Sequence, residues 1–117
     1  MPKFYHYAKC STCRKAEQWL KKRGNDLDSV DITANPPGRD QLKTILKASG
    51  KPITALLNTS GVQYRLLNMK EKVKTLTEDQ LLSLLSKNGR LLKRPLVWEN
   101  SKATIGFKED EFQKTWR

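Results

Sequence analysis

Residues 3–15 read Lys3-Phe4-Tyr5-His6-Tyr7-Ala8-Lys9-Cys10-Ser11-Thr12-Cys13-Arg14-Lys15. The first five of them predict a short strand, and the apolar spacing of the segment 11–23 predicts an amphipathic helix that Gly24 ends. Cys10 and Cys13, the only cysteines in the sequence, therefore fall where the strand gives way to the helix. This junction places two thiols, three residues apart, at the first turn of a helix.

The start of a helix favours the thiolate form of a cysteine. The first backbone N–H groups have no partner within the helix, and the helix dipole adds partial positive charge there. Ser11 is predicted to cap the helix, while Arg14 and Lys15 add positive charge within the first turn or so. We interpret Cys10 as the exposed nucleophile and Cys13, on the apolar helical face, as the more buried resolving partner. Such a pair near a βαβ pattern is typical of a thioredoxin-like redox motif.

Two other interpretations of the cysteines remain open. Both could be small buried hydrophobic residues with no chemistry. A structural zinc site needs about four ligands, and the sequence adds only one more soft ligand, His6. We interpret His6 as a packed or surface histidine, and we expect no metal.

Length and composition predict a single soluble domain. The chain has 117 residues, of which 37% are hydrophobic and 30% charged. No apolar run approaches the roughly 18 residues that a bilayer-spanning helix requires. Met1-Pro2-Lys3 leads directly into the first strand, unlike a signal peptide. We therefore expect a cytoplasmic protein, and cysteine pairs there are usually catalytic or redox-sensing.

The net charge of +11 comes from 23 basic and 12 acidic residues. A basic surface favours anionic partners, which include nucleic acids, membrane surfaces and small oxyanions or anionic thiols. The lysines are scattered along the chain, and aromatic residues do not alternate with them as they do in single-strand binders. We therefore expect a solvated basic surface, with no direct nucleic-acid binding and no membrane association.

The rest of the chain predicts a helical block between two sheet-forming parts. A second strand is predicted at about 27–32, and a helix at about 39–49 that Gly50 ends. Next come a short helix with Pro52 at its first position, a break at 58–61 and a helical turn at 62–67. The capping box of Thr77 then opens a leucine-rich helix that Gly89 closes. The last predicted elements are a strand after Pro95, a partner strand at 103–107 and a helix at 109–116. The order is β-α-β, then helices over about 39–90, then β-β-α.

This order and five short motifs resemble the arsenate reductase (ArsC)-like and Spx family. The motifs are Cys10-Ser11-Thr12-Cys13-Arg14-Lys15-Ala16, Pro36-Pro37, Leu56-Leu57-Asn58-Thr59-Ser60-Gly61, Leu92-Lys93-Arg94-Pro95-Leu96 and Ile105-Gly106-Phe107. They occur in colinear order over essentially the whole chain. The resemblance implies an α/β, thioredoxin-like (glutaredoxin-like) core with a helical insertion.

The resemblance also implies a role for Arg94. In such proteins the peptide bond before the matching proline, here Pro95, is expected to be cis, which would turn Arg94 towards Cys10. A guanidinium there would stabilise the thiolate and bind an oxyanion or carboxylate through two parallel hydrogen bonds. The alternative is that Arg94 is a surface residue ahead of a strand.

The resemblance implies that the arsenate-reducing members of the family hold arsenate with three arginines. This sequence departs from that pattern. Asn58 stands at the position of the first, and Phe107 or a neighbour at the position of the third. Arg65 and Lys108 are candidates to replace them. Because hydrogen bonds to charged groups contribute roughly 1.5–3 kcal/mol each, we expect weakened oxyanion binding and doubt that arsenate is the substrate.

Two functions follow from the resemblance. The first is a thiol–disulfide oxidoreductase that binds no cofactor and attacks a small thiol or oxyanion substrate through Cys10. Glutathione, glutaredoxin or thioredoxin would be the electron donor. The substrate-binding candidates are Ser11, Thr12, Arg14, Asn58, Arg65 and Pro95. The second is a redox-sensing regulator that binds RNA polymerase, with Cys10 and Cys13 as its disulfide switch. A family member without redox activity is a third alternative.

Overall fold

The structure, a computed structural model, describes residues 1–116 of the chain. The strands are β1 Lys3–His6, β2 Asp28–Asp31, β3 Leu96–Glu99 and β4 Lys102–Ile105. The α-helices are α1 Ser11–Lys22, α2 Arg39–Ser49, α3 Val62–Leu66, α4 Met69–Thr75, α5 Glu78–Ser86 and α6 Glu109–Thr115. Two 3-10 helices, Ile53–Leu56 and Gly89–Leu91, lie in the helical block.

Within residues 1–116 the four strands form one mixed sheet in the order β2-β1-β3-β4. β1 is central and runs parallel to β2 and antiparallel to β3, and β3 and β4 form an antiparallel hairpin. Successive side chains of a strand point to opposite faces. Phe4 accordingly packs with buried residues of α1 and α6, whereas Tyr5 packs with the helical block on the other face.

Helix α1 forms as the sequence predicts because its apolar residues recur on one face. Ala16, Trp19 and Leu20 are buried against the sheet. Gly24, with φ of +83°, ends the helix in the left-handed conformation that glycine adopts without strain. Because β1 ends at His6 and α1 starts at Ser11, the loop between them carries Cys10 beyond the carboxyl end of β1.

The helical block contains the predicted helices, with three corrections. Pro52 is the N-cap of the 3-10 helix and not its first residue. Helix α4, which the sequence analysis missed, buries Met69 completely although its other residues are mostly polar. Gly89 does not close α5, which ends at Ser86; it opens a 3-10 turn instead. A Cβ on Gly89 would lie 1.8 Å from the carbonyl oxygen of Ile32, so close backbone packing accounts for this glycine.

The capping box at the start of α5 is present as predicted. The Thr77 hydroxyl accepts the backbone N–H of Gln80 at 3.2 Å, and the Gln80 side chain accepts the backbone N–H of Thr77 at 2.9 Å. Leu81, Leu82 and Leu85 are buried in the core that this helix shares with α2. The leucine stripe is therefore core, as the sequence analysis proposed.

The β3–β4 hairpin brings two loops to the same end of β1. The Arg94–Pro95 peptide bond immediately before β3 is cis, as the family resemblance implies. Strand β4 ends at Ile105, earlier than the predicted Phe107, because Gly106 turns the chain with φ of +79°. The Gly106 N–H donates to the Pro95 carbonyl at 2.9 Å, which ties the two loops together.

The predicted fold class is confirmed. A β-α-β unit, a helical insertion and a β-β-α unit build a mixed four-stranded sheet over residues 1–116, with helices on both faces. None of the helices described is long and apolar enough to cross a membrane.

Candidate active site around Cys10

Cys10 itself caps helix α1. Its backbone is extended, with φ of −98° and ψ of 110°, and its Sγ accepts the backbone N–H of Cys13 at 3.2 Å. Its own N–H donates to the Tyr7 carbonyl at 3.0 Å. The prediction that Ser11 caps the helix was wrong, because Ser11 is the first helical residue and is exposed. The sulfur, not a hydroxyl, receives the unpaired N–H of the first turn.

Cys13 lies one turn further into α1 and only 2% of it is exposed. Burial raises the pKa of the Cys13 thiol to about 12, and its hydrogen bond with Cys10 acts in the same direction. A backbone hydrogen bond from Tyr7 and the charge of Arg94 oppose the shift without cancelling it. Cys13 is therefore a protonated thiol at neutral pH. Both cysteines are free thiols in this structure.

Cys10 opens into a cleft of about 290 Å³ between α1, the helical block and the loops beside β3 and β4. Nine residues line it: Cys10, Thr12, Asn58, Lys93, Arg94, Ile105, Gly106, Phe107 and Lys108. The volume suits a small molecule or the tip of a peptide. The more accessible of the two thiols thus faces a cleft assembled from four separate parts of the sequence.

Arg94 is brought to this cleft together with Cys10. Its guanidinium carbon lies 4.8 Å from the centroid of the Tyr7 ring, in a cation–π arrangement. Tyr7 belongs to the loop that also accepts the Cys10 N–H, so one residue contacts both groups. The charge of Arg94 reaches the thiol pair, since it lowers the pKa of Cys13. Arg94 thus lines the same cleft as Cys10, and its role toward the thiol stays a prediction.

The cleft carries an excess of positive charge. Lys93, Arg94 and Lys108 line it, and no aspartate or glutamate does so. In the described part of the chain none of these three cations belongs to an ion pair. The stem of Lys93 runs along Gly106, where a Cβ would lie 3.1 Å from Lys93 Cε. An anionic group on a substrate would find uncompensated charge here.

The structure brings some of the predicted binding residues to the cleft and places others elsewhere. Thr12 and Asn58 line the cleft beside Cys10. Arg14 instead lines a separate cavity beside Cys13, and Arg65 is exposed on α3, outside the residues that line either space. Pro95 is buried next to Arg94. Their contributions to substrate binding stay predictions.

Three residues of the cleft, Lys93, Ile105 and Gly106, were not named as site candidates from the sequence. Lys93 and Gly106 both lie inside the quoted motifs, and each is next in the chain to a residue already discussed, Arg94 or Phe107. The proximity of the Lys93 stem to Gly106 could not be read from the sequence, because it joins the segment before β3 to the segment after β4. Among residues 1–116, no group of three or more His, Cys, Asp or Glu side chains could hold a metal ion.

The mixed sheet, the cis-proline loop and a Cys-x-x-Cys pair at the start of α1 define a thioredoxin-like protein. The chain belongs to the ArsC family, whose model matches residues 5–115. It is 45% identical to the uncharacterized protein YusI of Bacillus subtilis over 97% of this chain and 96% of that protein. It is 33% identical to the global transcriptional regulator Spx of Streptococcus pyogenes, over 89% of this chain and 76% of the regulator.

Solved structures agree with this assignment. A crystal structure of a possible arsenate reductase from Streptococcus mutans UA159 superposes with a TM-score of 0.86 at 40% identity. The match covers 94% of this chain and 96% of that one. The family includes proteins described as reductases and proteins described as regulators, so family membership supports a thiol site without choosing between these roles.

Proposed function

We propose that this protein is a thiol–disulfide oxidoreductase in which Cys10 is the nucleophile and Cys13 resolves the intermediate. The observation that carries the proposal is the position of Cys10 Sγ, which accepts the Cys13 N–H at 3.2 Å and opens into a cationic cleft. A thiolate there is stabilised by the helix N-terminus and by Arg94. Cys13, by contrast, is buried, and its thiol stays protonated until it attacks the mixed disulfide of Cys10.

The reaction runs in two exchanges. Cys10 attacks one sulfur of a substrate disulfide, forms a mixed disulfide and releases the first thiol. Cys13 then attacks Cys10, closes an intramolecular disulfide and releases the second thiol. Because Cys10 and Cys13 are three residues apart in one helical turn, this second exchange needs no external thiol. Glutathione, glutaredoxin or thioredoxin in a reducing cytoplasm is the proposed donor that regenerates the dithiol.

The substrate proposed for this cleft is a small disulfide or mixed disulfide with carboxylate groups. Lys93 and Lys108 supply point charges, and Arg94 supplies a planar fork that matches a carboxylate. Arsenate fits less well. Asn58 offers a neutral amide where the arsenate-reducing relatives are expected to have an arginine, and Lys108 cannot form the paired hydrogen bonds of a guanidinium.

Turnover with a glutathione mixed disulfide, measured beside arsenate under the same conditions, tests this function. We expect turnover of the mixed disulfide that Cys10→Ser abolishes and Cys13→Ser slows, because Cys13→Ser must wait for an external thiol. Lys102→Gln, an exposed lysine outside the cleft, is the matched control. Absence of turnover with every disulfide tested, in protein whose Cys10 is reduced, would refute the enzymatic proposal.

A second candidate function is a redox switch that binds RNA polymerase. It is favoured by the likeness to Spx of Streptococcus pyogenes and to the regulatory protein MgsR of Bacillus subtilis, at 32% identity for the latter. Closing the Cys10–Cys13 disulfide would then change a binding surface without turnover. RNA polymerase captured only by the oxidised protein, and not by Cys10→Ser, would support the switch over the enzyme.

A further inference from the structure

A second cavity, of about 190 Å³, lies beside Cys13. Its lining residues are Phe4, His6, Tyr7, Ala8, Cys13, Arg14 and Glu17, and none of them lines the cleft in front of Cys10. The two thiols of the pair therefore open into different spaces. A cavity of this size holds several water molecules, since each occupies about 30 Å³ in the liquid.

The resolving step requires Cys13 to lose a proton. Burial raises the pKa of its thiol to about 12, so very little Cys13 thiolate is present near pH 7. In the reduced protein the Cys13 thiol shares a hydrogen bond with the Cys10 sulfur. Once Cys10 is bonded to a substrate, its sulfur is no longer a thiolate and cannot accept that proton. Fast resolution then needs another acceptor near Cys13.

His6 lines the cavity beside Cys13, where such a proton acceptor is required. Phe4 and His6 are two residues apart on β1, and their rings stack at 5.8 Å, so both lie on the sheet face covered by α1. Cys13 projects from the first turn of α1 into the cavity that His6 lines. His6 is the only histidine in the sequence, and neutral imidazole is the side chain best suited to take a proton near neutral pH.

We propose that His6 accepts the proton of Cys13, directly or through one water in this cavity, during resolution of the Cys10 mixed disulfide. The inference rests on the proposed oxidoreductase function and adds a catalytic base to it. It also assigns a role to a histidine that the sequence analysis treated as a packed or surface residue.

The step balances in atoms and electrons. The Cys13 S–H bond breaks, and its proton goes to an imidazole nitrogen of His6. The Cys13 sulfur bonds to the Cys10 sulfur, and the bond between Cys10 and the substrate sulfur breaks, with the electron pair leaving on the substrate thiolate. The substrate disulfide is the oxidant and the dithiol is the reductant. His6 returns its proton to the departing thiolate or to water.

Charged groups from two elements surround His6. Arg14 and Glu17 of α1 line the same cavity. Asp31 of β2 stands opposite His6 in the register of the sheet. Hydrogen bonds from Thr33 and Ala34 lower the pKa of the Asp31 carboxyl, and the charge of His6 makes a smaller contribution in the same direction. Glu17 is the competing acceptor. Its carboxylate is paired with Lys21 at 3.6 Å, and a carboxylate is a weaker base than imidazole. We therefore assign the proton to His6, and Glu17 serves as the comparison.

The pH dependence of resolution distinguishes a local base from water. Without a local acceptor the rate follows the Cys13 thiolate fraction and keeps rising with pH while the thiol ionises. With His6 as the base, the rate reaches a plateau once the imidazole is neutral. A plateau in the wild-type rate, replaced in His6→Gln by a continuous rise, is the expected signature.

The experiment mixes the reduced protein with dithiobis(nitrobenzoate) and follows release of the coloured thiol in two phases. The first phase reports formation of the Cys10 mixed disulfide, and the second reports resolution by Cys13. At about pH 7 we expect His6→Gln to slow the second phase by about 10²-fold, the lower end for general base catalysis. We expect Glu17→Gln to leave the second phase within about twofold of wild type.

Several outcomes would overturn the inference. They are an unchanged second phase in both His6→Gln and His6→Asn, a loss confined to Glu17→Gln, and a wild-type rate that rises without a plateau. If the His6 variants fail to fold, the wild-type plateau and a normal solvent deuterium isotope effect on the second phase decide the matter. Failure of the proposed function looks different, because the wild-type protein would then release one thiol and form no internal disulfide.

Discussion

The guanidinium of Arg94 lies over the ring of Tyr7, with its central carbon 4.8 Å from the ring centroid. Tyr7 also accepts the N–H of Cys10 through its carbonyl at 3.0 Å. The residue that fixes the loop before the nucleophile therefore also fixes the cation beside it. A long, flexible arginine is ordered here by a ring, without an ion pair to any carboxylate in residues 1–116.

Replacing the Tyr7 ring should loosen Arg94 without touching either thiol. A cation–π contact contributes about 0.5–2 kcal/mol, so Tyr7→Leu should lower the rate of Cys10 with an anionic disulfide by about twofold to thirtyfold. Tyr7→Phe is the matched control, because it keeps the ring and should retain most of the rate. Equal losses in Tyr7→Phe and Tyr7→Leu would assign the effect to the hydroxyl and not to the contact with Arg94.

Removing the Arg94 charge should weaken the reaction with anionic disulfides. Arg94 lines the cleft with Cys10, and one charged hydrogen bond contributes roughly 1.5–3 kcal/mol. We therefore expect Arg94→Ala to lower kcat/KM for an anionic disulfide by about tenfold or more. Arg90→Ala removes an exposed arginine from the neighbouring 3-10 turn, outside the cleft, and should leave kcat/KM in place. A value of kcat/KM that does not respond to Arg94→Ala would remove Arg94 from the substrate site.

Burial of Cys13 should make the folded protein sensitive to alkali. The raised pKa means that the unfolded chain loses the Cys13 proton above about 9.0, whereas the folded chain keeps it until about 12. Stability is therefore fully present below pH 9 and falls as the pH rises towards 12, by about 2 kcal/mol between about pH 9 and 10.5. Urea unfolding at several pH values measures this loss.

The control for that measurement is Cys13→Ala, which should be less stable at neutral pH but should lose less stability between those two pH values. Tyr5, whose pKa is also raised by burial and by the Asp28 carboxylate, is present in both proteins and drops out of the difference. Parallel pH profiles for the two proteins would contradict the burial of a protonated Cys13 thiol.

Local patterns in the sequence accounted for much of the fold. The capping box at Thr77, the apolar face of 11–23 and the glycine stop at Gly24 are short-range signals, and each produced the predicted element. Helix α4 was missed because a single buried residue, Met69, holds an otherwise polar segment in place. Gly89 was wrongly predicted to close a helix. A glycine is required there because it packs against the backbone of Ile32, which is remote in sequence.

The candidate site was predictable only where it depends on neighbours in the chain. The spacing of Cys10 and Cys13 was enough to distinguish the more accessible thiol, at the half-buried Cys10, from the buried thiol of Cys13. The stacking of Arg94 on Tyr7 and the shared cavity of His6 with Cys13 depend on how the sheet brings separate segments together. No periodicity in the sequence encodes such contacts.

Adding a side chain at Gly106 should strain the backbone and should also displace the Lys93 side chain in the cleft. Gly106 and Gly24 have nearly equal positive φ angles, +79° and +83°, so an alanine at either position should cost about 1–2 kcal/mol in strain. At Gly24 a Cβ meets nothing within 4 Å, whereas at Gly106 it lies 3.1 Å from Lys93 Cε. Only Gly106→Ala should therefore also raise the KM for an anionic disulfide.

Comparison of the two alanine variants separates stability from binding. Urea unfolding should give similar losses of free energy for both, and turnover with a neutral disulfide such as hydroxyethyl disulfide should change little in either. An equal rise in KM for the anionic disulfide in Gly24→Ala would show that backbone strain, and not the position of Lys93, controls binding.

Restoring a guanidinium at position 58 should improve the binding of oxyanions. Asn58 lines the cleft with Cys10 and Arg94, and its amide packs on Gly61. One charged hydrogen bond contributes roughly 1.5–3 kcal/mol, so Asn58→Arg should tighten the protection of Cys10 by arsenate against alkylation by about tenfold or more. Asn88→Arg adds the same charge outside the cleft and should give no such gain. Efficient arsenate protection in the unmodified protein, with no gain in Asn58→Arg, would mean that Arg94 and the two lysines already suffice for an oxyanion.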